Sequence, residues 1–334
     1  WSTIGNTGLS AATNFIGTTN AVDVIFRRSN VRAGRLGVSN TSFGVNALNP
    51  AVTGGFNTAI GVQALMNNES GVDNTALGYG ALMVNTTGEW NTAAGRASLQ
   101  ANEDGNQNTA FGYQSLRNSV SGNNNTAVGR QALFNSIGNG NTGIGWRSLL
   151  NTEGDNNTAL GINAGNAITT GSNNIAIGNN AQVAVAADSN QIRIGNTAIT
   201  LATTQVAWTN PSDRRWKDNI LPSNLGLDFI NALKPVYYTR NNDEKQRTEY
   251  GFIAQELEEM LNQFGASNNG IISKDDKGMY GVRYNDLFAP IVKAIQEQQI
   301  IIANQQEEIN TLKVELLTMQ QQFIQRLEAL ENHK

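Results

Sequence analysis

The sequence predicts a mainly β N-terminal two-thirds, coiled as a β-solenoid or β-roll of about nine 17-residue repeats, then a small α+β domain and a C-terminal coiled coil. Three observations carry this reading. A motif of Asn, Thr (Ile in the last copy), a small residue, an apolar residue and Gly recurs nine times at near-constant spacing. The chain after Asn285 contains no Gly and carries apolar residues on a heptad. Hydrophobic residues make up only 39% and glycines number 34, which suits thin, turn-rich β structure better than one thick core.

The repeat is the first element to justify. Its Asn falls at Asn40, Asn57, Asn74, Asn91, Asn108, Asn125, Asn141, Asn157 and Asn174, spaced 17, 17, 17, 17, 17, 16, 16 and 17 residues apart. The fifth position is Gly in all nine copies, the fourth is always apolar, and the third is Ser, Ala or Gly. Seven copies place Leu eight residues after the Asn. Gly in every unit opposes helix, so Asn-Thr-Ala-apolar-Gly is a short strand ended by a glycine corner. One repeat makes one coil, and coils stacked ~4.8 Å apart give nine coils a length of roughly 40 Å. Stacking is expected to turn the fourth-position apolar residues and the leucines into internal ladders. It should turn the asparagines into an amide ladder. Such thin coils bury little, so lateral assembly is expected.

The flanks are read in the same way. Residues 1–39 form a β-rich N-terminal segment with a strand-like run at 22–26, and 40–182 hold the repeats. Residues 183–211 read as a β-rich neck with strands at 191–194 and 197–201, followed by an α+β domain over 212–286. In that domain Leu225, Leu227, Phe229, Ile230 and Leu233 give one helical stripe, Gln255, Leu257, Met260, Leu261 and Phe264 another, and 278–284 a strand. Residues 287–334 form the coiled coil. One heptad position holds Ile295, Ile302, Ile309, Leu316, Phe323 and Leu330; the other holds Ile291, Gln298, Gln305, Leu312, Met319 and Arg326. Ile at the first with Gln inside the second is compatible with three strands, so the rod and the coil are read as trimeric.

Composition narrows the function classes. The net charge of −4 argues against nucleic acid as a main partner. No Cys is present, which rules out disulfides and thiolate metal sites. No run of 18 apolar residues predicts membrane insertion. Neither a cofactor nor a metal is expected. The N-terminal Trp1-Ser2-Thr3 lacks the pattern of a signal peptide and reads as an internal start within a longer parent protein.

The repeats resemble the β-roll heads of trimeric adhesins and similar segments of phage tail fibres, with a longer, 17-residue coil. Past the neck come Asn210-Pro211-Ser212-Asp213-Arg214-Arg215-Trp216-Lys217-Asp218-Asn219-Ile220, then Leu233-Lys234-Pro235-Val236-Tyr237-Tyr238 and Gly251-Phe252-Ile253-Ala254-Gln255-Glu256. From 212 to about 331 the chain resembles the intramolecular chaperone domain of endosialidase-type tail spikes and fibres, which releases itself by autoproteolysis. That resemblance implies a dyad in which Ser212 is the nucleophile and Lys217 the general base, with Pro211 and Asp213 beside the cut. The chemistry agrees. A serine hydroxyl needs a base to attack a peptide carbonyl, and the single histidine, His333, lies at the helix end, away from the serine. A lysine serves as base where burial or nearby cations lower its pKa. Whether the bond before or after Ser212 is cut stays open.

The resemblance implies a homotrimeric attachment protein whose C-terminal domain chaperones β folding and is then released, on a virion tail fibre or at a cell surface. Its expected partners are its own copies, a host cell-surface glycan or protein receptor, and other fibre or baseplate subunits. The alternative is a bacterial trimeric surface adhesin with the same self-processing domain. Against an autotransporter version, the chain runs to Lys334 in a polar helix rather than a barrel. A glycan-degrading enzyme is disfavoured because Glu69, Glu89, Glu103 and Glu153 fall in turns between coils. One exposed stripe remains: Tyr79, Arg96, Tyr113, Arg130 and Trp146, each directly after a glycine corner. Aromatic faces beside Arg forks suit acidic glycans, and equally suit a cation–π ladder between coils.

Overall fold

A computed structural model describes residues 18, 20 and 22–331. The chain divides into two compact units, 1–199 and 200–334. The expected strand at 22–26 falls near β1 (Val24–Arg28), whereas the N-terminal 17 residues and His333 lie outside the described residues.

The first unit is a single parallel ladder closed at one end by a hairpin. Strands β1 and β2 (Val31–Leu36) pair antiparallel, and β2 pairs antiparallel with β3 (Thr41–Phe43). From there every step is parallel: β4 (Thr58–Ile60), β5 (Thr75–Leu77), β6 (Thr92–Ala94), β7 (Thr109–Phe111), β8 (Thr126–Val128), β9 (Thr142–Ile144), β10 (Thr158–Leu160) and β11 (Ile175–Ile177). Register is strict, with Thr over Thr and the small residue over the small residue. A further strand, β12 (Ile192–Ile194), extends the ladder by a tenth rung in which Gln191 replaces the Asn. The second neck strand expected at 197–201 is not formed.

Which residues face inward corrects one expectation. The third position is the interior one: Ala59, Ala76, Ala93, Ala110, Ala127, Ala159 and Ala176 are wholly buried. The fourth-position residues point outward. Phe43, Ile60, Leu77, Phe111, Val128, Ile144, Leu160 and Ile177 are 37–50% exposed. Strand side chains alternate, so a small residue turned in forces its apolar neighbour out. A coil this thin has room only for the small one.

The leucines do line the core as expected. Leu48, Leu65, Leu82, Leu99, Leu116, Leu133 and Leu149 are at most 1% exposed. Each adopts a left-handed backbone, with φ between 47° and 57°. That conformation costs roughly 1–2 kcal/mol per residue, and burying a Leu side chain returns about 1.5–3 kcal/mol, so burial offsets the strain. The eighth coil solves the problem differently. Gly165 stands at the Leu position with φ 61°, and the wholly buried Ile168 fills the space.

The asparagine ladder also differs in detail from the expectation. Asn57 Oδ1 accepts from the backbone N–H of Asn74 at 3.0 Å, while its Nδ2 donates to the Gly71 carbonyl at 2.9 Å. The same pair of bonds recurs down the file at Asn74, Asn91, Asn141 and Asn157. These side chains therefore knit backbone to backbone between coils. The corner glycines mark where coils touch most closely. At Gly112, φ is 128° and an added Cβ would lie 2.7 Å from the Gly129 carbonyl oxygen. The N-terminal end is capped by Arg32, whose guanidinium donates to the Ala47 carbonyl at 3.1 Å and to that of Leu48.

The second unit contains α1 (Leu227–Ala232), a hairpin of β13 (Val236–Tyr238) and β14 (Glu249–Gly251), α2 (Ala254–Gln263), a hairpin of β15 (Ile272–Lys274) and β16 (Tyr280–Val282), and the long α3 (Phe288–Glu331). Its core is Leu225, Phe229, Leu257, Leu261, Ile271 and Leu287, with Phe264 edge-on to Phe229 at 5.6 Å. Pro290 sits in the first turn of α3, where its missing N–H costs nothing. The heptad residues Ile295, Ile302, Ile309, Leu312, Leu316, Met319, Phe323 and Leu330 are 45–68% exposed. A helix of 44 residues with one open apolar seam is consistent with a coiled coil.

Candidate functional site

Residues 200–222 are exposed throughout, and within them lies one short turn of 3₁₀ helix, Arg214–Trp216. Asp213 caps it: its Oδ1 accepts from the Arg215 N–H at 2.8 Å, and the Lys217 N–H closes the far end on the Arg214 carbonyl at 3.1 Å. The turn folds the chain so that two side chains five residues apart meet. Lys217 Nζ donates to Ser212 Oγ at 2.6 Å.

The flanking charges are committed to the turn. Arg215 makes a two-pronged ion pair with Asp213, at 3.0 and 2.8 Å. That pairing, with the backbone bond, holds the Asp213 carboxyl below the usual carboxylate range and raises the Arg215 guanidinium. Arg215 is thus a structural partner of Asp213. Pro211 precedes Ser212 with its φ fixed by the ring.

Residues 212–266 match the family model described as chaperone of endosialidase. This segment is an endosialidase-type chaperone domain. No curated protein and no solved structure matches the chain. The match opens at Ser212 and ends beyond α2, so the β15–β16 hairpin and α3 lie outside it. The chain thus carries an intramolecular chaperone behind a β-solenoid, an arrangement that fits a tail fibre or tail spike.

Sequence reasoning missed how the chaperone domain grips α3. Glu297 of α3 reaches the start of α1, where its Oε2 accepts from the Leu227 N–H at 2.7 Å, and Lys293 pairs with it at 3.0 Å. Gly226 makes room: an added Cβ would lie 2.2 Å from Glu297 Oε2. The backbone bond and Lys293 lower the Glu297 pKa. A second anchor joins Glu258 of α2 to the β15–β16 hairpin through Lys274 at 2.9 Å and the Tyr280 hydroxyl at 3.0 Å. Neither pairing has a local sequence signal, since its partners lie 70, 16 and 22 residues apart.

On the solenoid the aromatic and arginine side chains after the glycine corners stack on one another. Arg96 lies 5.6 Å from the Tyr79 ring and 5.9 Å from that of Tyr113, and Arg130 is 5.8 Å from Tyr113. Trp146 takes Arg147, one residue further on, at 5.7 Å. From Tyr79 to Arg130 the stripe is a cation–π ladder between coils, and Trp146 stands outside it; Tyr79, Tyr113 and Trp146 keep 39–49% of their surface exposed. Among the described residues no group of acidic or imidazole side chains could hold a metal ion, and no helix is long and apolar enough to cross a membrane.

Proposed function

We propose that three copies of this chain form an attachment fibre of a virion tail or other extracellular structure, and that the C-terminal domain assembles the fibre before autoproteolysis releases it. The observation that carries the reading is the open apolar file on the solenoid. Eight large fourth-position side chains, from Phe43 to Ile177, stand above one another on the outer face of the parallel sheet. A continuous apolar strip of this kind is unfavourable in water and marks an interface. A threefold axis lets each copy bury its strip against the other two. The open seam of α3 meets the same requirement with interwound helices.

The chaperone role follows from folding physics. Parallel pairing between distant residues requires loop-closure entropy to be lost before any contact forms. Helices that hold three chains together raise their local concentration and set their register, after which the β rod zips up. Cleavage then removes the way back and leaves the rod kinetically trapped.

For the cut, Ser212 Oγ attacks the carbonyl of the bond next to it while Lys217 takes the hydroxyl proton and passes it to the departing amide nitrogen. Water later opens the ester. A charged ammonium accepts no proton, so the site needs shelter from solvent. The segment from Ser212 to Ile220 is exposed in a single chain, and neighbouring subunits supply the shelter on this reading. Receptor contact falls to the rod, with Tyr79, Tyr113 and Trp146 as the aromatic surface for a glycan.

A denaturing gel of freshly expressed chain beside Ser212→Ala and Lys217→Ala tests the cut. A fragment of about two-thirds length in the unaltered chain alone is expected; identical full-length bands in all three remove the autoproteolysis and leave the trimer. Sedimentation tests the trimer, with Val128→Asp and Ile144→Asp expected to yield dissociated or aggregated chains. Replacing Tyr113 and Trp146 by Ala should reduce adsorption to host cells, and unchanged adsorption rejects the glycan surface.

A further inference from the structure

A second interior file of the solenoid stands eleven residues after each repeat asparagine from Asn57 to Asn157. It reads Asn68, Asn85, Asn102, Ser119, Ser136, Thr152 and Ile168 down successive coils, and all seven are wholly buried. The backbone is the same at the first five: each N–H donates to the carbonyl of the left-handed Leu three residues earlier, at 3.2–3.4 Å.

The three asparagines form a true amide ladder. Asn85 Nδ2 donates to Asn68 Oδ1 at 2.8 Å, and Asn102 Nδ2 to Asn85 Oδ1 at 2.7 Å. Each Nδ2 also donates to the glycine carbonyl three residues on, that of Gly71, Gly88 or Gly105, at 2.9–3.0 Å. Those carbonyls accept a second bond from the repeat asparagines Asn57, Asn74 and Asn91.

At Ser119 the ladder loses its amide while the bonds from the repeat asparagines to the glycine carbonyls persist, at Gly122 three residues after Ser119 and at Gly138 two residues after Ser136, where the coil is one residue shorter. The Gly122 carbonyl accepts from Asn108 Nδ2 at 2.7 Å and the Gly138 carbonyl from Asn125 Nδ2 at 3.0 Å, leaving each one lone pair that the asparagine rungs would have filled. Three buried polar atoms in a row have no hydrogen-bond partner among the described residues: Asn102 Oδ1, Ser119 Oγ and Ser136 Oγ. Buried polar groups in folded proteins are paired with protein or with ordered water. Exchanging Asn for Ser frees space on the order of the ~30 Å³ that one water occupies.

We infer that two structural water molecules are built into the interior of each solenoid, one beside Ser119 and one beside Ser136, each standing where an asparagine Nδ2 would be. The bonding closes without remainder. The first water donates to Asn102 Oδ1 and the Gly122 carbonyl and accepts from the Ser119 hydroxyl. The second donates to Ser119 Oγ and the Gly138 carbonyl and accepts from the Ser136 hydroxyl. Serine plus water thus replaces the asparagine amide on two successive rungs, and all three unpartnered atoms are satisfied by three-coordinate waters of the usual kind.

A high-resolution crystal structure of the full chain tests this directly, and water magnetic relaxation dispersion counts the long-lived waters in solution. Density within hydrogen-bond distance of both Ser119 Oγ and the Gly122 carbonyl, and of both Ser136 Oγ and the Gly138 carbonyl, is expected. Ser119→Asn should expel the first water, restore amide bonds to Asn102 Oδ1 and the Gly122 carbonyl, and raise Tm by roughly 2–4 °C. Ser119→Ala should lower Tm. A dry interior in the unaltered chain overturns the inference and needs no variant to fold. A lower Tm for Ser119→Asn, or an amide there that leaves the water in place, overturns it equally.

Discussion

The solenoid and the chaperone domain hold themselves together in opposite ways. In the solenoid the main contacts are repeated: the glycine corner, the left-handed Leu and the side chain of the repeat Asn recur coil after coil. In the chaperone domain no contact recurs. Its core is six buried apolar residues, and Glu297 ties the start of α1 to α3. Repetition makes the solenoid an additive stack whose coils stabilise only their neighbours. It also makes register ambiguous, because a slip of one whole coil satisfies most of the same bonds. Unique contacts allow no such slip. A repetitive rod therefore gains from a non-repetitive partner that fixes alignment, and this chain contains one of each.

The sharpest break in that comparison is a substitution at a position the repeat cannot vary. Gly112→Ala puts a Cβ 2.7 Å from the Gly129 carbonyl oxygen on a backbone with φ 128°. The cost should be at least ~4 kcal/mol. Two-stage melting by circular dichroism should show the β transition falling while the helical one keeps its place. Phe229→Ala is the mirror experiment. Phe229 is wholly buried, so its loss should cost about 3–5 kcal/mol and lower the helical transition alone. If either variant moves both transitions together, the two regions do not unfold independently and the contrast fails.

A smaller effect is expected at the capped end. Arg32→Ala leaves the carbonyls of Ala47 and Leu48 without their donor, at about 1–3 kcal/mol. In an additive stack the loss should stay in the first coils. Hydrogen exchange should quicken around Thr41–Phe43 and leave Thr126–Val128 protected; uniform quickening along the rod would show more cooperative coils than nearest-neighbour stacking allows.

Much of the rod was legible because each repeat states its own rules several times over. The Gly corner and the Leu file followed from recurrence alone. The inward file falls at the third position rather than the fourth because strand alternation outranks hydrophobicity where the interior is too narrow for a large side chain. An Ala held at the third position in seven of nine copies already implied an interior with no room for Ile or Phe. The tenth rung was missed because Gln191 breaks the Asn pattern while serving the same bond, its N–H donating to Asn174 Oδ1 at 2.9 Å. In the second unit, the family resemblance singled out Ser212 and Lys217, and the turn at Arg214–Trp216 brings these two side chains together. The grip of Glu297 on Leu227 was not, since a bond across 70 residues depends on how α1 and α3 pack.

Glu297 offers the gentlest test of the contrast. Its carboxylate accepts the Leu227 N–H and pairs with Lys293, and both hold its pKa below the ordinary 4.5. A carboxyl whose pKa is depressed by folding contributes stability that is fully present above its unfolded value and is lost as pH falls through the folded one. The helical transition should therefore weaken below about pH 4.5. Asp243 and Glu258 are lowered in the same sense by Arg247 and Lys274 and add to that acid sensitivity. Glu297→Gln separates the contributions: the neutral amide keeps an acceptor for Leu227 and has no charge to lose. The variant should start less stable at neutral pH and show a shallower loss toward acid, with the two melting curves converging at low pH. The β transition should respond to neither change, because the repeat Asn ladder has no ionisable member. A difference between variant and unaltered chain that stays constant from neutral to acid pH would mean that Glu297 acts through shape alone, and that the unique contact in the chaperone domain is no more charge-dependent than the repeated ones in the rod.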